Sequence, residues 1–264
     1  MRIIIFFFLI AGLLSCALPV QVPVTVPEVT KDELFGVLAE NAESFASLKG
    51  IARISFQEKG RKTVRVKSIL LVEQPHRVRS EILGFFGQPA AVAVVNGELA
   101  SLLVPGEGVL YKGGASARNL QRVLRIPLEI KDLINFILYR VPVIEYQDSN
   151  LEMTEEGRSR LLLKGKGDLQ EELLFNTEQK LVEARLQKGE EEILKLSYGN
   201  FTEGGNPFPR LLVLNLPSRG VEARIEFSSL ETNVGLDEKL FHLKKPEGFQ
   251  IRQLPDRSEP IAPE

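Results

Sequence analysis

IARISFQEKGRKTVRVK, residues 51–67, changes the period of the chain. Ala52, Ile54 and Phe56 alternate with Arg53, Ser55 and Gln57. Past a turn at Gly60, Val64 and Val66 alternate with Arg65 and Lys67. A side-chain period of two puts the apolar residues of a strand on one face, so the stretch predicts two adjacent antiparallel strands with one buried face.

Working outward, similar segments recur at 77–83, 89–95, 98–104, 159–164, 170–176, 181–187, 192–198, 209–216 and 221–229, punctuated by turns such as Asn96-Gly97, Gly106 to Gly108, Gly165 to Gly167 and Gly189-Glu190. About eleven strands at this spacing predict a mainly β fold, a meandering antiparallel sheet curled into a half-open barrel. A helix precedes it. Thr30 and Glu33 have capping-box spacing, Leu34, Leu38, Phe45 and Leu48 form an apolar stripe, and Gly50 is the expected stop. Another helical insertion runs from Ser116 to Arg140. Leu120, Val123 and Leu124 share a face, Pro127 ends the first helix, and EIKDLINFILYR supplies a second carrying Ile130, Leu133, Ile134, Phe136, Ile137 and Leu138. A helical pair between two meanders buries its stripe only against the inside of the sheet, as a plug or lid.

The N-terminus carries an address. Met1 and Arg2 precede an apolar or small run from Ile3 to Leu14, well short of the ~20 residues a spanning helix needs, and LLSC closes it at Cys16. Residues 1–15 are read as a signal peptide. LLSC resembles a bacterial lipoprotein box, which implies an acylated Cys16 as the mature N-terminus, the alternative being a plain secretory peptide with an incidental cysteine; residues 16–29 are then the acylated cysteine and a tether, with Pro19, Pro23 and Pro27 favouring an extended form about 3.1 Å per residue. Residues 30–250 form one β domain. Leu240, Phe241 and Phe249 are candidates to dock on it, and residues 251–264 are expected to be a disordered tail.

With 33 basic and 35 acidic residues, the chain is not built for nucleic acid. The lone cysteine, used for lipid attachment, leaves no thiol for a disulfide, metal cluster or catalytic thiolate. His76 and His242 lack metal-ligand spacing, and no nucleophile-elbow, zincin or Walker pattern occurs. KGKG at 164–167 reads as a hairpin turn. The expectation is a protein that is not an enzyme and uses neither cofactor nor metal.

Two surface features remain. ILGFFGQPA, residues 82–90, sets Phe85 and Phe86 between Gly84 and Gly87, where a hairpin tip is ordinarily polar. The pair either inserts into a bilayer or covers an acyl chain, with Leu83 beside it, or folds back as core beneath the lid. Arg53, Arg65, Lys67, Arg77 and Arg79 take outward positions on consecutive strands. They are either a patch for anionic head groups or a solvated outer face.

The lipobox-like LLSC, the tether, the helix, the half-open barrel and the inserted helices together resemble the LolB-like outer-membrane lipoprotein receptors of the lipoprotein-carrier superfamily, over about residues 30–230. In that family a Pro-Leu-Gly hairpin presents a protruding leucine, and Phe86 before Gly87 stands in its place. The family's lid run, Leu-x-x-Trp-x-x-Gly-x-Pro, is matched by LINFILYRVP at Leu133 and Pro142, with Phe136 for the tryptophan, no glycine and one extra residue. YGNFTEGGNPFPRLLVLNL and VEARIEFSSLETN are similar to the superfamily's closing strands.

The resemblance implies an acyl-binding cavity lined by Ala52, Ile54, Phe56, Val64 and Val66 and covered by Leu133, Phe136 and Ile137. It implies lipids or lipoproteins as cargo, a periplasmic lipoprotein carrier as donor, and an outer-membrane site facing the periplasm. Alternatives are an anchored scaffold whose filled barrel holds an envelope partner, and a carrier or sensor of another envelope lipid.

Overall fold

The computed structural model describes residues 29–254; the signal segment, Cys16, the tether and residues 255–264 lie outside the described residues. Helix α1, Lys31–Ser44, begins at the expected capping box: Thr30 Oγ1 accepts from the Glu33 N–H at 3.3 Å and Glu33 Oε2 from the Thr30 N–H at 2.8 Å. It ends earlier than the apolar stripe suggested. Phe45 is extended, and Leu48 and Gly50 belong to strand β1, Ser47–Glu58. The stop comes from afar. The Asn233 side chain donates to Ser44 O at 2.7 Å and accepts from the Ala46 N–H at 2.9 Å, clipping the helix end to the end of the neighbouring strand Val221–Thr232.

Two antiparallel meanders make up the sheet. The first is β1, β2 (Val64–Glu73), β3 (Arg77–Leu83), β4 (Pro89–Asn96), β5 (Leu99–Val104) and β6 (Val109–Gly114). The second is β7 (Tyr146–Met153), β8 (Ser159–Gly165), β9 (Leu169–Phe175), β10 (Leu181–Lys188), β11 (Glu191–Phe201), β12 (Pro209–Leu216) and β13 (Val221–Thr232). β1 pairs with β13 from Leu48↔Thr232 to Glu58↔Val221, fusing both meanders into one sheet. With β14, Gln250–Gln253, parallel to β6, the sheet has 14 strands and open edges at β14 and β7. The fold is thus the half-open barrel expected, with β6, β7 and β14 added. The tail boundary is also corrected: β14 is ordered, Leu254 is buried, and its N–H donates to Lys112 O at 2.7 Å.

Helices α2, Ala117–Leu124, and α3, Ile130–Ile137, connect the meanders. Ser116 caps α2, its hydroxyl accepting from the Asn119 N–H at 3.3 Å. α3 lies inside the curled sheet, with Leu133, Ile134, Phe136, Ile137 and Leu138 all in the main core alongside Leu161, Leu173, Phe175 and Leu196. On the sheet's other face Phe241 docks, buried against Leu71, Val92 and Val94, whereas Leu240 is exposed and Phe249 half-buried.

Candidate functional site: two apolar clefts divided by a helix

The alternation of β1 and β2 aims Ile54, Phe56, Val64 and Val66 inward, and these four line a cleft of about 280 Å³. Ala52, expected with them, is wholly buried in the core instead. Its partner across the β1–β13 ladder is Phe227, beside the irregularity at Ile51/Ala52. From the helices, Val123, Leu124, Ile126, Leu133 and Ile137 complete the wall. The polar lining is Ser80, Arg122 and Arg125; the Ser80 hydroxyl is satisfied by Ser68 Oγ at 2.8 Å.

Phe136 does not face this cleft. Helical residues advance about 100° each, so Leu133 and Ile137 share one face while Asp132 and Phe136, also four apart, share the adjoining one. Asp132 and Phe136 line a second cleft of about 380 Å³ between α3 and the second meander, walled by Val141, Ile144, Ala184, Leu186, Leu194 and Leu196. Both volumes sit near the lower end of the roughly 300–1,000 Å³ typical of small-molecule sites. α3 partitions the barrel interior rather than roofing one cavity.

Sequence reasoning missed Glu171, which lines the second cleft at 5% exposure. The signal was present: in β9, Glu171, Leu173 and Phe175 alternate onto one face, and the two apolar members are wholly buried. Its Oε2 accepts from the Ile144 N–H at 3.0 Å. Burial pushes its pKa up to about 7, the Ile144 hydrogen bond opposing the shift.

The aromatic hairpin tip does not fold under the helices. Phe85 and Phe86 are 106% and 97% exposed, while Leu83 at the base is half-buried and paired with Pro89. Two hydrogen bonds shape the tip, Gly84 N–H to Gln88 O at 2.9 Å and Gly87 N–H to Gly84 O at 3.0 Å, with Gly87 at φ +76. Directly below it the cross-strand pair Ile82↔Ala91 lines the first cleft. Val64, at 52% exposure, lines the same cleft, so the cavity has an apolar end beside the tip.

The outer basic patch is smaller than expected. Arg77 pairs with Glu73 at 2.9 Å, and Arg79 with Glu81 at 2.6 Å and with Leu240 O at 2.7 Å. Arg53, Arg65 and Lys67 remain together in a shallow groove with Arg224 and Glu226. Among the described residues no group of three or more His, Cys, Asp or Glu could hold a metal ion, and no helix is long and apolar enough to cross a membrane.

No protein-family model and no curated protein matches the chain significantly. Solved structures do. A LolA superfamily protein from Nitrosomonas europaea superimposes with a TM-score of 0.50 at 14% identity, covering 81% of this chain and 98% of that one. A DUF1329 family protein from Desulfovibrio piger gives 0.52 at 16% identity, covering 80% and 95%. The fold is therefore the LolA-like open barrel, the architecture that the resemblance implied.

Proposed function

We propose that this chain is a non-enzymatic, lipid-anchored protein of the bacterial outer membrane that shelters acyl chains in its first cleft and helps lipoproteins or lipids reach the bilayer. The observation that carries the reading is the placement of the exposed Phe85-Phe86 tip directly above the Ile82–Ala91 pair lining the cleft. Each ring moved from water into hydrocarbon gains roughly 1.5–3 kcal/mol. Inserting the tip would bring the cleft's apolar end to the membrane surface, and an acyl chain could then pass between them without crossing water.

Acylation at Cys16 would hold the body near the membrane, and Arg53, Arg65 and Lys67 would add about 1 kcal/mol each near anionic head groups. The LolA superfamily fold of the Nitrosomonas neighbour supports a carrier or receptor role. Access requires no wholesale lid opening. Removing the five buried apolar residues of the α3 segment from the core would cost on the order of 10 kcal/mol, comparable to a whole domain's stability. The occupant uses space that stands with the helix in place.

The test is binding of a fluorescent fatty acid to the full chain carrying Cys16→Ser, which keeps it unacylated. Saturable binding is expected, lost in Ala91→Trp, which fills the first cleft. A parent protein that binds nothing retires the reading. The dense packing of α3 favours one other reading, a scaffold lipoprotein. Depletion of the protein in cells separates the two: retention of other lipoproteins in the inner membrane supports the receptor, and unchanged sorting supports the scaffold.

A further inference from the structure

The second cleft contains a group that an acyl chain alone leaves unexplained. Glu171 sits on the inner face of β9, opposite Leu163 of β8 and Leu186 of β10, in a row of aliphatic side chains. One of its oxygens accepts the Ile144 N–H. A carboxylate taken from water into such surroundings is unfavourable unless a cation or a proton accompanies it.

The charges around it decide the sign of a ligand that the cleft would favour. From α3 the cleft receives Asp132, and from β10 it receives Arg185, which shares the Glu183 carboxylate, at 2.6 Å, with Lys195 at 2.9 Å. Opposite Glu171, β8 presents Leu163, and on the far wall β11 presents Leu194 and Leu196. Counting that arginine, the charged lining is two acidic side chains against one basic, and the balance favours a cation. The first cleft is opposite in character, its charged lining being Arg122 and Arg125.

We propose that the second cleft binds a single-chain amphiphile with a protonated primary amine, its tail against Phe136, Leu186, Leu194 and Leu196 and its ammonium at the Glu171 carboxylate. The site is separate from the first cleft, and it stands whether or not acyl chains occupy that one. Burial holds the Glu171 pKa at about 7, so the carboxylate is mostly protonated at pH 6 and mostly ionised at pH 8, while an alkylamine stays charged throughout.

The test is calorimetric titration of the full chain carrying Cys16→Ser with dodecylammonium, below its micelle concentration, alongside dodecanol. Dodecylammonium is expected to bind at least tenfold tighter than dodecanol at pH 8. It should also bind about tenfold tighter at pH 8 than at pH 6, following the ionised fraction of Glu171. Glu171→Gln keeps an acceptor for the Ile144 N–H and should bring the amine level with the alcohol at both pH values. Ala91→Trp should leave amine binding unchanged. Equal affinity for amine and alcohol in the parent overturns the proposal, as does a pH trend that survives Glu171→Gln. Loss of amine binding in Ala91→Trp, without loss in Glu171→Gln, assigns the amine to the first cleft and equally overturns it.

Discussion

The hydroxyl of Tyr198, on β11, donates to the carbonyl oxygen of Phe136 at 3.1 Å and ties the end of α3 to the second meander. Tyr139, one turn on, stacks edge-on against Tyr198 with centroids 4.9 Å apart and donates to Leu181 O at 2.9 Å. Burial raises the pKa of both phenols, so both stay protonated donors. Tyr198→Phe keeps the ring contact and leaves the Phe136 carbonyl only its backbone partner, the Tyr139 N–H at 3.3 Å. It should cost about 1 kcal/mol in urea unfolding and speed amide exchange at Leu138 to Arg140. Unchanged exchange there would mean that the bond does not fasten the helix.

Gly50 sits where β13 leaves β1 no room for a side chain. A Cβ there would lie 2.7 Å from Ser229 O and 2.9 Å from the Phe227 ring, beside the irregularity at Ile51/Ala52. Backbone on the partner strand cannot retreat without breaking the ladder that joins the two meanders. Gly50→Ala should therefore lower stability by about 1–3 kcal/mol, read from the denaturation midpoint. Gly36, on the solvent side of α1, has open space within 4 Å of where a Cβ would stand; it is the control and should tolerate alanine.

How far the fold was legible follows from what each strand touches. Strands with one buried face, such as β8 and β9, alternate visibly in the sequence. β7 does not, because as an edge strand it is exposed along most of its length, and polar residues satisfy both its faces. β6 ends in Gly113-Gly114, which carry no side chains to alternate; Gly113 is needed because Leu254 Cβ stands 2.6 Å from where its own Cβ would be. β14 is held by backbone pairing to β6 and leaves no side-chain pattern. At the site, alternation pointed Ile54, Phe56, Val64 and Val66 to one cleft. The division of the interior by α3 depends on where the helix docks, which no local pattern encodes.

The exposed tip makes a prediction in which folding and membrane binding separate. Phe85 and Phe86 contribute no buried area, so replacing both with Glu should leave the denaturation midpoint within about 0.5 kcal/mol of the parent. Two rings at roughly 1.5–3 kcal/mol each should nevertheless cost at least tenfold in co-sedimentation of the Cys16→Ser chain with anionic phospholipid vesicles. Equal partitioning of parent and variant would remove the tip from the proposed route.

Glu171 gives stability a pH dependence of defined sign. Its folded pKa of about 7 lies above the ordinary 4.5 because burial penalises the charged form. Below the ordinary value the carboxyl is protonated in both folded and unfolded chains, and the penalty is absent. As pH rises from about 4.5 to 7 the unfolded chain releases the proton while the folded chain holds it, so stability falls; above 7 the loss is complete, roughly 3 kcal/mol. Glu171→Gln cannot ionise. Relative to the parent it should be more stable by up to roughly 3 kcal/mol at pH 8, with the difference largely gone at pH 4.5, in paired urea titrations. A difference that stays constant between the two pH values would mean that the carboxylate is solvated or paired in the folded protein, and would remove the ionic anchor from the second cleft.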